Sequence, residues 1–355
     1  MWAFNLKILV DMLTPKQVLF LGELSNKIED KGHEVVRVTR RFHETLYLLR
    51  LKKIKARIIG TYRLNLEAKL HESLKRTSRL ARLMKNLNVE LVLAYPSVEA
   101  ARAAYGLSIP YYCVSDSPHA EAVSRLTVPL ANRLFSPAII PKEDWIRYGI
   151  SKSKIIQYNA LDPYVWIRNL EKDPKLLHKL GLDTKDKLII LRLEESFAAY
   201  LLNKEGDWRN LASRILDELL KKCGEAKIII LPRYNHHYKL LKEFKGKVIV
   251  PKTMVYGPAL LAFSSVFIGG GGTMTAEAAL MGVPTLSYFP SGPTYVESYL
   301  QEKGLLTRNL DPKSISQQTL QWIDDDCYRK ECQRKAQEIL DNMEDPLQVI
   351  LYNIE

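Results

Sequence analysis

Four consecutive glycines, Gly269 to Gly272, stand where backbone groups could do chemistry. They separate a short apolar run, which predicts a strand, from a helix-forming stretch that begins at Thr273. Glycines at the carboxyl end of a strand let N–H groups approach a phosphate closely, and the start of a helix adds partial positive charge. Glu277 lies one turn into that helix, where a carboxylate could hold two ribose hydroxyl groups. The pattern predicts a nucleotide site, and a tight turn that binds nothing is the alternative.

The segment from Val266 to Pro290 continues with a Gly-Val-Pro turn and a second apolar run, so it predicts a strand, a glycine turn, a helix and a strand. It lacks the spacing of a dinucleotide-binding loop. It resembles the nucleotide-sugar site of GT-B glycosyltransferases and of UDP-N-acetylglucosamine 2-epimerases. This resemblance implies that Glu277 binds the ribose. It also implies that the diphosphate is bound by Gly270, Gly271, Gly272 and Thr273.

Two loops in the first half carry polar side chains directly after predicted strands. Thr14 and Lys16 open a helix after the first strand and could bind an anion or an acceptor hydroxyl; an ordinary cap with a solvated lysine is the alternative. Asp116 and His119 follow the predicted strand at 110–114. An Asp and a His three residues apart suit a base that takes a proton from an acceptor hydroxyl. A helix cap beside an exposed histidine is the alternative for this pair.

Two arginines end strands of the second half. Arg192 could neutralise a diphosphate leaving group by a bidentate contact. Arg233 follows the next strand and is a second candidate for contact with the phosphate or the base. Glu194 and Glu195 are more typical of solvated acids at a helix start, and we assign them no chemistry.

The chain departs from the epimerase pattern at two positions. The epimerases carry a His-Arg-x-Glu-Asn motif where this chain has Arg192 with no histidine before it, so the catalytic histidine is absent. They carry Gly-Asp-Thr where this chain has Tyr95, Pro96 and Ser97. Asp116 is the one acid of this chain that could match an acidic residue of the epimerases. These losses argue against epimerisation and leave nucleotide-sugar binding intact.

Strands alternate with helices along both halves of the 355 residues, which predicts parallel sheets and two domains. We predict an α/β fold of two doubly wound, Rossmann-like domains that face each other across a cleft, as in the GT-B type. The domains are 1–165 and 187–340, with a linker at 166–186 and a C-terminal helix at 341–355 that packs back on the first domain. Residues 8–17 and 31–40 resemble an uncharacterised, largely archaeal GT-B-like family, which implies no particular activity.

The net charge of +12 arises in one segment. Residues 37–85 hold 15 Lys and Arg against 3 Glu, so this segment attracts an anionic partner. A predicted basic amphipathic helix at 42–55 presents Leu46, Leu49 and Ile54, which is typical of a helix in a membrane interface. We expect an anionic membrane or a lipid-linked acceptor; a solvated basic face is the alternative. The segment lacks interleaved exposed aromatic residues, so we expect no nucleic acid.

The four cysteines are scattered without metal-ligand spacing, which favours free thiols and a cytoplasmic protein, peripheral on the inner face of the membrane at most. No Asp-x-Asp motif stands in a suitable loop, and the acidic run at 324–326 is more typical of a solvated helix. We expect no metal and no cofactor. The leading prediction is a GT-B glycosyltransferase that uses a UDP-sugar. An epimerase or hydrolase of nucleotide sugars and a non-catalytic binder are the alternatives, and the oligomeric state stays open.

Overall fold

The computed structural model describes residues 5–193, 211–232, 237–238 and 241–354. The chain divides into two compact units. Unit 1 comprises Met1–Val165 and Glu344–Glu355, and unit 2 comprises Trp166–Met343. Each unit is built around its own parallel β-sheet.

The sheet of unit 1 has seven strands in the order β3-β2-β1-β4-β5-β6-β7, all paired in parallel. The strands are β1 (Lys7–Met12), β2 (Glu34–Arg41), β3 (Arg57–Thr61), β4 (Leu91–Ala94), β5 (Tyr111–Val114), β6 (Arg133–Pro137) and β7 (Ile155–Tyr158). The strand order changes direction between β1 and β4. Ligands of open parallel sheets bind beyond the carboxyl ends of the strands at such a point.

Helices connect these strands, and their apolar sides cover the sheet. They are α1 (Pro15–Asp30), α2 (His43–Leu51), α3 (Leu66–Asn86), α4 (Val98–Gly106), α5 (Glu121–Thr127) and α6 (Glu143–Ile146). The start of α1 follows from its sequence, because Pro15 fits the first turn of a helix and lacks the N–H that would be unpaired there. The chain leaves unit 1 within α7 (Tyr164–Ile167).

The C-terminal helix returns to unit 1. This helix, residues 346–352, contacts α1. Just before it, the N–H of Glu344 donates to the carbonyl of Asn159 at 3.1 Å. Just after it, the Tyr112 hydroxyl donates to the carbonyl of Asn353 at 3.2 Å. The end of the chain therefore completes the core of unit 1.

The sheet of unit 2 has five parallel strands in the order β12-β11-β10-β8-β9. They are β8 (Leu188–Arg192), β9 (Lys227–Leu231), β10 (Val266–Gly269), β11 (Thr285–Ser287) and β12 (Thr307–Arg308). The direction changes between β8 and β10. The described helices are α8 (Lys175–Lys179), α9 (Leu211–Leu220), α10 (Gly257–Leu261), α11 (Thr273–Leu280), α12 (Tyr295–Glu302), α13 (Pro312–Ile323) and α14 (Asp326–Asp341), and α15 is Pro346–Tyr352 of unit 1.

Both faces of the second sheet are buried. Leu188 and Ile190 of β8 belong to one apolar cluster, and Ile189 and Leu191 belong to another. A strand buried on both faces reads as a continuous apolar run, since neighbouring side chains point to opposite faces. The predicted α/β class with two doubly wound parallel sheets is confirmed.

Some segments depart from the regular alternation of strands and helices. The apolar stretch at 248–250 forms isolated bridges, from Ile249 to Ile229 and from Val248 to Lys245, rather than a strand. The helix α5 ends at Thr127, because Pro129 follows in a 3-10 turn. Among the described residues, no helix combines the length and apolarity that crossing a membrane requires.

The helix expected to lie in a membrane interface, at 42–55, is the shorter α2. Leu46 and Leu49 do not face outward as predicted, whereas Leu51 at the end of the helix is 45% exposed. Leu49 is buried, Leu46 is half-buried, and the side chain of Ile54 packs against Gly22 of α1. These apolar groups hold α2 on the body of unit 1, so they are not available to a membrane.

Candidate functional site

The glycine turn of unit 2, Gly269–Gly272, lies where the strand order changes direction. Gly269 pairs in register with Arg192 on β8, and the N–H of Gly270 donates to the Arg192 carbonyl at 3.1 Å. The guanidinium of Arg192 donates from Nη1 to the carbonyls of Leu231 and Pro232, each at 3.2 Å. The structure thus brings two predicted site elements, the glycine turn and Arg192, together at one end of the sheet.

Three of the four glycines in the turn meet requirements of space or backbone conformation. A Cβ on Gly269 would lie 2.5 Å from the Thr275 hydroxyl, and one on Gly271 would lie 2.5 Å from the Phe289 ring. Gly271 and Gly272 both have φ of +91°, which other residues rarely adopt. A Cβ on Gly272 would meet no described atom within 4 Å. Close packing therefore explains Gly269 and Gly271, whereas Gly272 leaves open space in front of the backbone.

The helix α11 starts at Thr273 with Gly272 as its N-cap. In the described part of the chain no side chain caps it. The first N–H groups of a helix have no partner within the helix, and they carry the positive end of its dipole. The hydroxyl of Thr275 is buried in the first turn and has no hydrogen-bond partner among the described residues. This helix start can hold an anion such as a diphosphate.

Glu277 is buried one turn further along α11. Its side-chain carboxylate accepts a hydrogen bond from Nε1 of Trp166 at 2.8 Å. Burial, and after it the charge of the nearby Glu277, raises the pKa of the phenol of Tyr256, which precedes α10. A buried carboxylate held in a fixed position is suited to a pair of ribose hydroxyls. Trp166 was not predicted, because nothing in its local sequence indicates a partner 111 residues away.

Arg308 on β12 is another residue that the sequence did not indicate. Its Nη2 donates to the carbonyl of Phe289 at 2.9 Å and also to that of Ser291. Phe289 in turn packs against Gly271. Arg308 therefore supports the loop on which the glycine turn rests. The predicted contact residue Arg233 lies outside the described residues.

Unit 1 gathers polar side chains at the carboxyl ends of its strands, around Lys16. The Lys16 ammonium forms ion pairs with Asp116 and, at 2.7 Å, with Asp162. The hydroxyls of Tyr95 and Tyr158 donate to the two oxygens of Asp162 at 2.8 and 2.7 Å. These five residues are named the Lys16 cluster. Tyr158 is the last residue of β7, and the other four follow β1, β4, β5 and β7, so four strand ends converge on one site.

The two carboxylates of the Lys16 cluster have opposite pKa shifts. Burial alone raises the pKa of Asp116, but the pairing with Lys16 outweighs it and lowers that pKa below its usual value. Burial dominates at Asp162 and raises the pKa of that carboxyl. Burial would lower the pKa of Lys16, yet the two carboxylates together raise it. Two nearby acids with divergent pKa values are typical of acid–base sites.

The other predicted groups of unit 1 lie around this cluster. His119 lies at the surface, but surrounding protein atoms partly desolvate its imidazole. This desolvation, with a smaller effect of the Lys16 charge, lowers the pKa of His119 against the opposing effect of Asp116. Asp116 accepts a hydrogen bond from the Ser117 hydroxyl at 2.8 Å. Thr14 is the N-cap residue of α1, with no side-chain cap bond in the described structure. The sequence pointed to Lys16, Asp116 and His119 separately, and the fold brings them together.

Asp162, Tyr95 and Tyr158 were missed as site residues. The break in the strand–helix rhythm around 159–163 is a visible signal, but it is equally typical of the approach to a linker. Tyr95 holds Asp162 by a hydrogen bond between residues 67 positions apart, which no local pattern indicates.

Two other predictions concern acidic residues and metals. The acidic run at 324–326 has a structural role, because Asp325 caps α14 by accepting from the Tyr328 N–H at 2.8 Å. The described residues contain no group of three or more His, Cys, Asp or Glu side chains placed to hold a metal ion.

Two examples of solved structures with a similar fold are an epimerase and a glycosyltransferase. One is the UDP-GlcNAc 2-epimerase from Neisseria meningitidis bound to UDP-GlcNAc, with a TM-score of 0.74, 18% identity and coverage of 98% of this chain and 99% of that chain. The other is the glycosyltransferase SnogD from Streptomyces nogalater, with a TM-score of 0.62, 15% identity and coverage of 99% of each chain. The predicted resemblance to GT-B-type proteins is confirmed at the level of the fold.

Sequence comparison identifies closer relatives. The chain is 28% identical over 316 residues to an uncharacterized protein of Methanocaldococcus jannaschii, which covers 88% of this chain and 90% of that protein. A family model described as "Protein of unknown function (DUF354)" matches residues 6–354. Because that model spans nearly the whole chain, the protein belongs to the DUF354 family.

Proposed function

We propose that this protein is a GT-B glycosyltransferase that moves a sugar from a nucleoside-diphosphate sugar, with a UDP-sugar as the first candidate, to a hydroxyl acceptor without a metal ion. The observation that carries the proposal is the start of α11, which has no side-chain cap among the described residues. There Gly272 leaves open space, and Glu277 lies buried one turn further on. The Neisseria meningitidis relative is bound to UDP-GlcNAc, which supports the choice of the nucleotide.

The donor would bind to unit 2. Backbone N–H groups of Gly271, Gly272 and Thr273 would hold the diphosphate, and Glu277 would hold the ribose. The predicted contact from Gly270 is not part of this set, because its N–H donates to the Arg192 carbonyl. Arg192 lies on the neighbouring strand end and would approach the same phosphates. As the bond from the anomeric carbon to the diphosphate oxygen breaks, its electron pair stays on that oxygen. Fixed N–H dipoles and an arginine stabilise such a charge without reorganisation, and in many enzymes stabilisation of this kind contributes most to the rate enhancement.

The acid–base groups would come from unit 1, where Asp116 and His119 are the candidates. Asp116 is ionised and paired with Lys16, and its lowered pKa makes it a weak base. His119 has a lowered pKa, so its imidazole is neutral near pH 7 and can accept a proton. In the proposed step the acceptor hydroxyl gives its proton to His119 while its oxygen forms the bond to the anomeric carbon. Asp116 would stabilise the resulting imidazolium.

An epimerase or hydrolase of nucleotide sugars is the second candidate. Two observations favour it: the similarity of the fold to a UDP-GlcNAc 2-epimerase, and the divergent pKa values of Asp116 and Asp162, which would suit an acid and a base around a sugar ring. The missing histidine before Arg192 weighs against it. Both candidates require a nucleotide sugar at the glycine turn, and they differ in their need for an acceptor.

One experiment separates the candidates. The protein is incubated with UDP-GlcNAc alone and with a panel of hydroxyl acceptors, while proton NMR follows the sugar and a coupled assay follows free UDP. Transfer predicts that UDP appears only when one of the acceptors is present. Inversion at the second carbon of the sugar without UDP release would identify an epimerase. UDP release without any acceptor would identify a hydrolase.

A further inference from the structure

The first turns of α3 expose a row of leucines. Leu66, Leu70 and Leu74 are 72%, 60% and 62% exposed, and Leu64 just before the helix is 59% exposed. Because residues four apart lie above one another on a helix, the three helical leucines form one stripe. These four residues are named the leucine face. The later turns of α3 bury Leu80 and Met84 in the core of unit 1, so the helix is already anchored without the leucine face.

This exposure requires an explanation. Single exposed apolar side chains are common on protein surfaces, whereas contiguous apolar patches mark sites of interaction. The same helix also carries exposed bases, which begin directly after Leu74. They are Lys75, Arg79, Arg82 and Lys85. The leucine face is therefore followed by a basic surface along the same helix.

The surrounding charge decides which partner fits. The segment 37–85 carries 15 Lys and Arg against 3 Glu, so its net charge of +12 equals the net charge of the entire chain. A second copy would bring the same excess of positive charge to the contact, and the two surfaces would repel each other. In an anionic bilayer the leucines can insert among the acyl chains, and the bases can pair with negatively charged headgroups. Exposed apolar and basic groups on one helix are complementary to such a surface.

We propose that the leucine face and the adjacent bases of α3 dock this protein onto an anionic membrane. The sequence assigned the membrane contact to the segment 37–85, with the helix at 42–55 lying in the interface. Leu49 of α2 is buried and Leu46 is half-buried, so the larger exposed apolar surface of the segment is the leucine face of α3. This inference does not depend on the glycosyl transfer proposed above, because neither Glu277 nor the Lys16 cluster takes part in it.

Sedimentation with liposomes tests the proposal. The full-length protein is mixed with vesicles of phosphatidylcholine alone or with phosphatidylglycerol added, at 0.1 M and at 1 M salt. We expect binding to the anionic vesicles at 0.1 M salt and much weaker binding at 1 M, where the Debye length falls from ~10 Å to ~3 Å. Equal binding to both kinds of vesicle, or binding to neither, would overturn the proposal.

Two sets of variants test the surface itself. Changing Leu66, Leu70 and Leu74 together to serine should weaken binding by more than about tenfold. Complete burial of a single leucine side chain already contributes more than this factor to an affinity. Changing Lys75, Arg79 and Arg82 together to glutamine should weaken it about 100-fold, at about fivefold for each base. Because these side chains are exposed, thermal unfolding should remain close to that of the wild type.

Matched controls use exposed residues elsewhere. Leu107, Leu126 and Leu310 are exposed and are changed to serine, and Lys222, Lys313 and Lys330 are exposed and are changed to glutamine. Both control proteins should bind like the wild type. Equal losses in the controls would overturn the assignment to α3. Sedimentation velocity without lipid tests whether a second copy of the chain binds to the leucine face instead. A wild-type dimer that dissociates when the three leucines are substituted would assign the leucine face to a second copy and would also overturn the proposal.

Discussion

Lys16 is the residue on which the polar site of unit 1 depends. Its ammonium is the cation that offsets two carboxylates, of which Asp162 is fully buried and Asp116 mostly so. Removing one partner of a buried ion pair leaves an uncompensated charge, which costs far more than breaking a surface pair. The cluster is therefore a structural element as well as a candidate site, and the two roles can be measured separately.

Lys16→Met should lower the free energy of unfolding by about 3–5 kcal/mol at pH 7. The Asp116 pKa is lowered in the folded protein, so the stability from its ion pair is present above its unfolded pKa of about 3.9 and is lost as the pH falls through the folded value. The loss in Lys16→Met should thus shrink as the pH falls below about 3.9. Urea unfolding at several pH values measures it.

Lys152→Met is the control for that measurement, because Lys152 is mostly exposed and lies 3.8 Å from Glu143. An exposed pair of this kind contributes about 1 kcal/mol at most. A loss in Lys16→Met no larger than in the control would contradict the assignment of Lys16 as the counter-charge of a buried pair.

His119→Ala should reduce acceptor-dependent UDP release by about 10²–10⁴-fold, the usual contribution of a general base. The pKa of His119 is lowered, so activity should fall only as the pH drops below its ordinary value of about 6.5, where the imidazole gains a proton. Asp116→Asn removes the charge that raises this pKa and should move the acidic limb to still lower pH. A pH profile of kcat/KM measures both effects, and an unchanged limb in Asp116→Asn would exclude coupling between the two groups.

How far the sequence predicts individual site residues depends on whether the signal is local. The glycine turn, Glu277 and Arg192 follow strands or open a helix, and these positions could be derived from neighbouring residues alone. Asp162, Trp166 and Arg308 act through partners far away in sequence. Their roles depend on the three-dimensional packing, and no spacing along the chain reveals them.

At the scale of elements, the order of strands and helices was predictable because parallel strands buried on both faces form continuous apolar runs. The short edge strand β12 was not, since two residues carry no periodicity. The stretch at 248–250 has the composition of a strand but makes only one bridge to β9, through Ile249. Leu46 and Leu49 of α2 had a helical spacing, and the error lay in the direction that these two leucines face.

The turn from β10 into α11 gives a prediction at this scale. Gly272→Ala should lower the free energy of unfolding by about 1–3 kcal/mol, because φ is +91° there. It should also weaken UDP binding, since the new methyl group enters the open space where the phosphate would lie. Gly181→Ala is the matched control: φ is +72° and the surrounding space is equally open, but it lies far from the glycine turn in the chain. Similar loss of UDP affinity in both variants would point to general destabilisation.

At the scale of the whole molecule, the two units carry different features. Unit 1 contains the Lys16 cluster, the leucine face and the basic segment, and unit 2 contains the glycine turn. Net charge and alternating elements predicted this division of properties between the halves of the chain. The closing helix α15 belongs to unit 1 although it follows unit 2 in sequence, an arrangement in which the chain crosses between the units twice.

Binding of UDP should stabilise the folded protein as a whole. A ligand present at 100 times its Kd adds about 2.7 kcal/mol to the free energy of unfolding when it binds only the folded state. Thermal unfolding with UDP, GDP and dTDP therefore ranks the nucleotides, and we expect the largest increase in Tm with UDP. Equal shifts with all three would indicate recognition of the diphosphate alone.

Calorimetric titration with UDP tests the central claim most directly, by comparing the wild type with Glu277→Gln. Glutamine keeps an acceptor for the Trp166 N–H while removing the charge proposed to hold the ribose. Affinity should fall by about 1–3 kcal/mol, which is roughly 5- to 150-fold in Kd. Glu302→Gln, at an exposed position on α12, should bind UDP like the wild type. A folded Glu277→Gln protein with unchanged UDP affinity, or a wild-type protein that binds no UDP, would contradict the account.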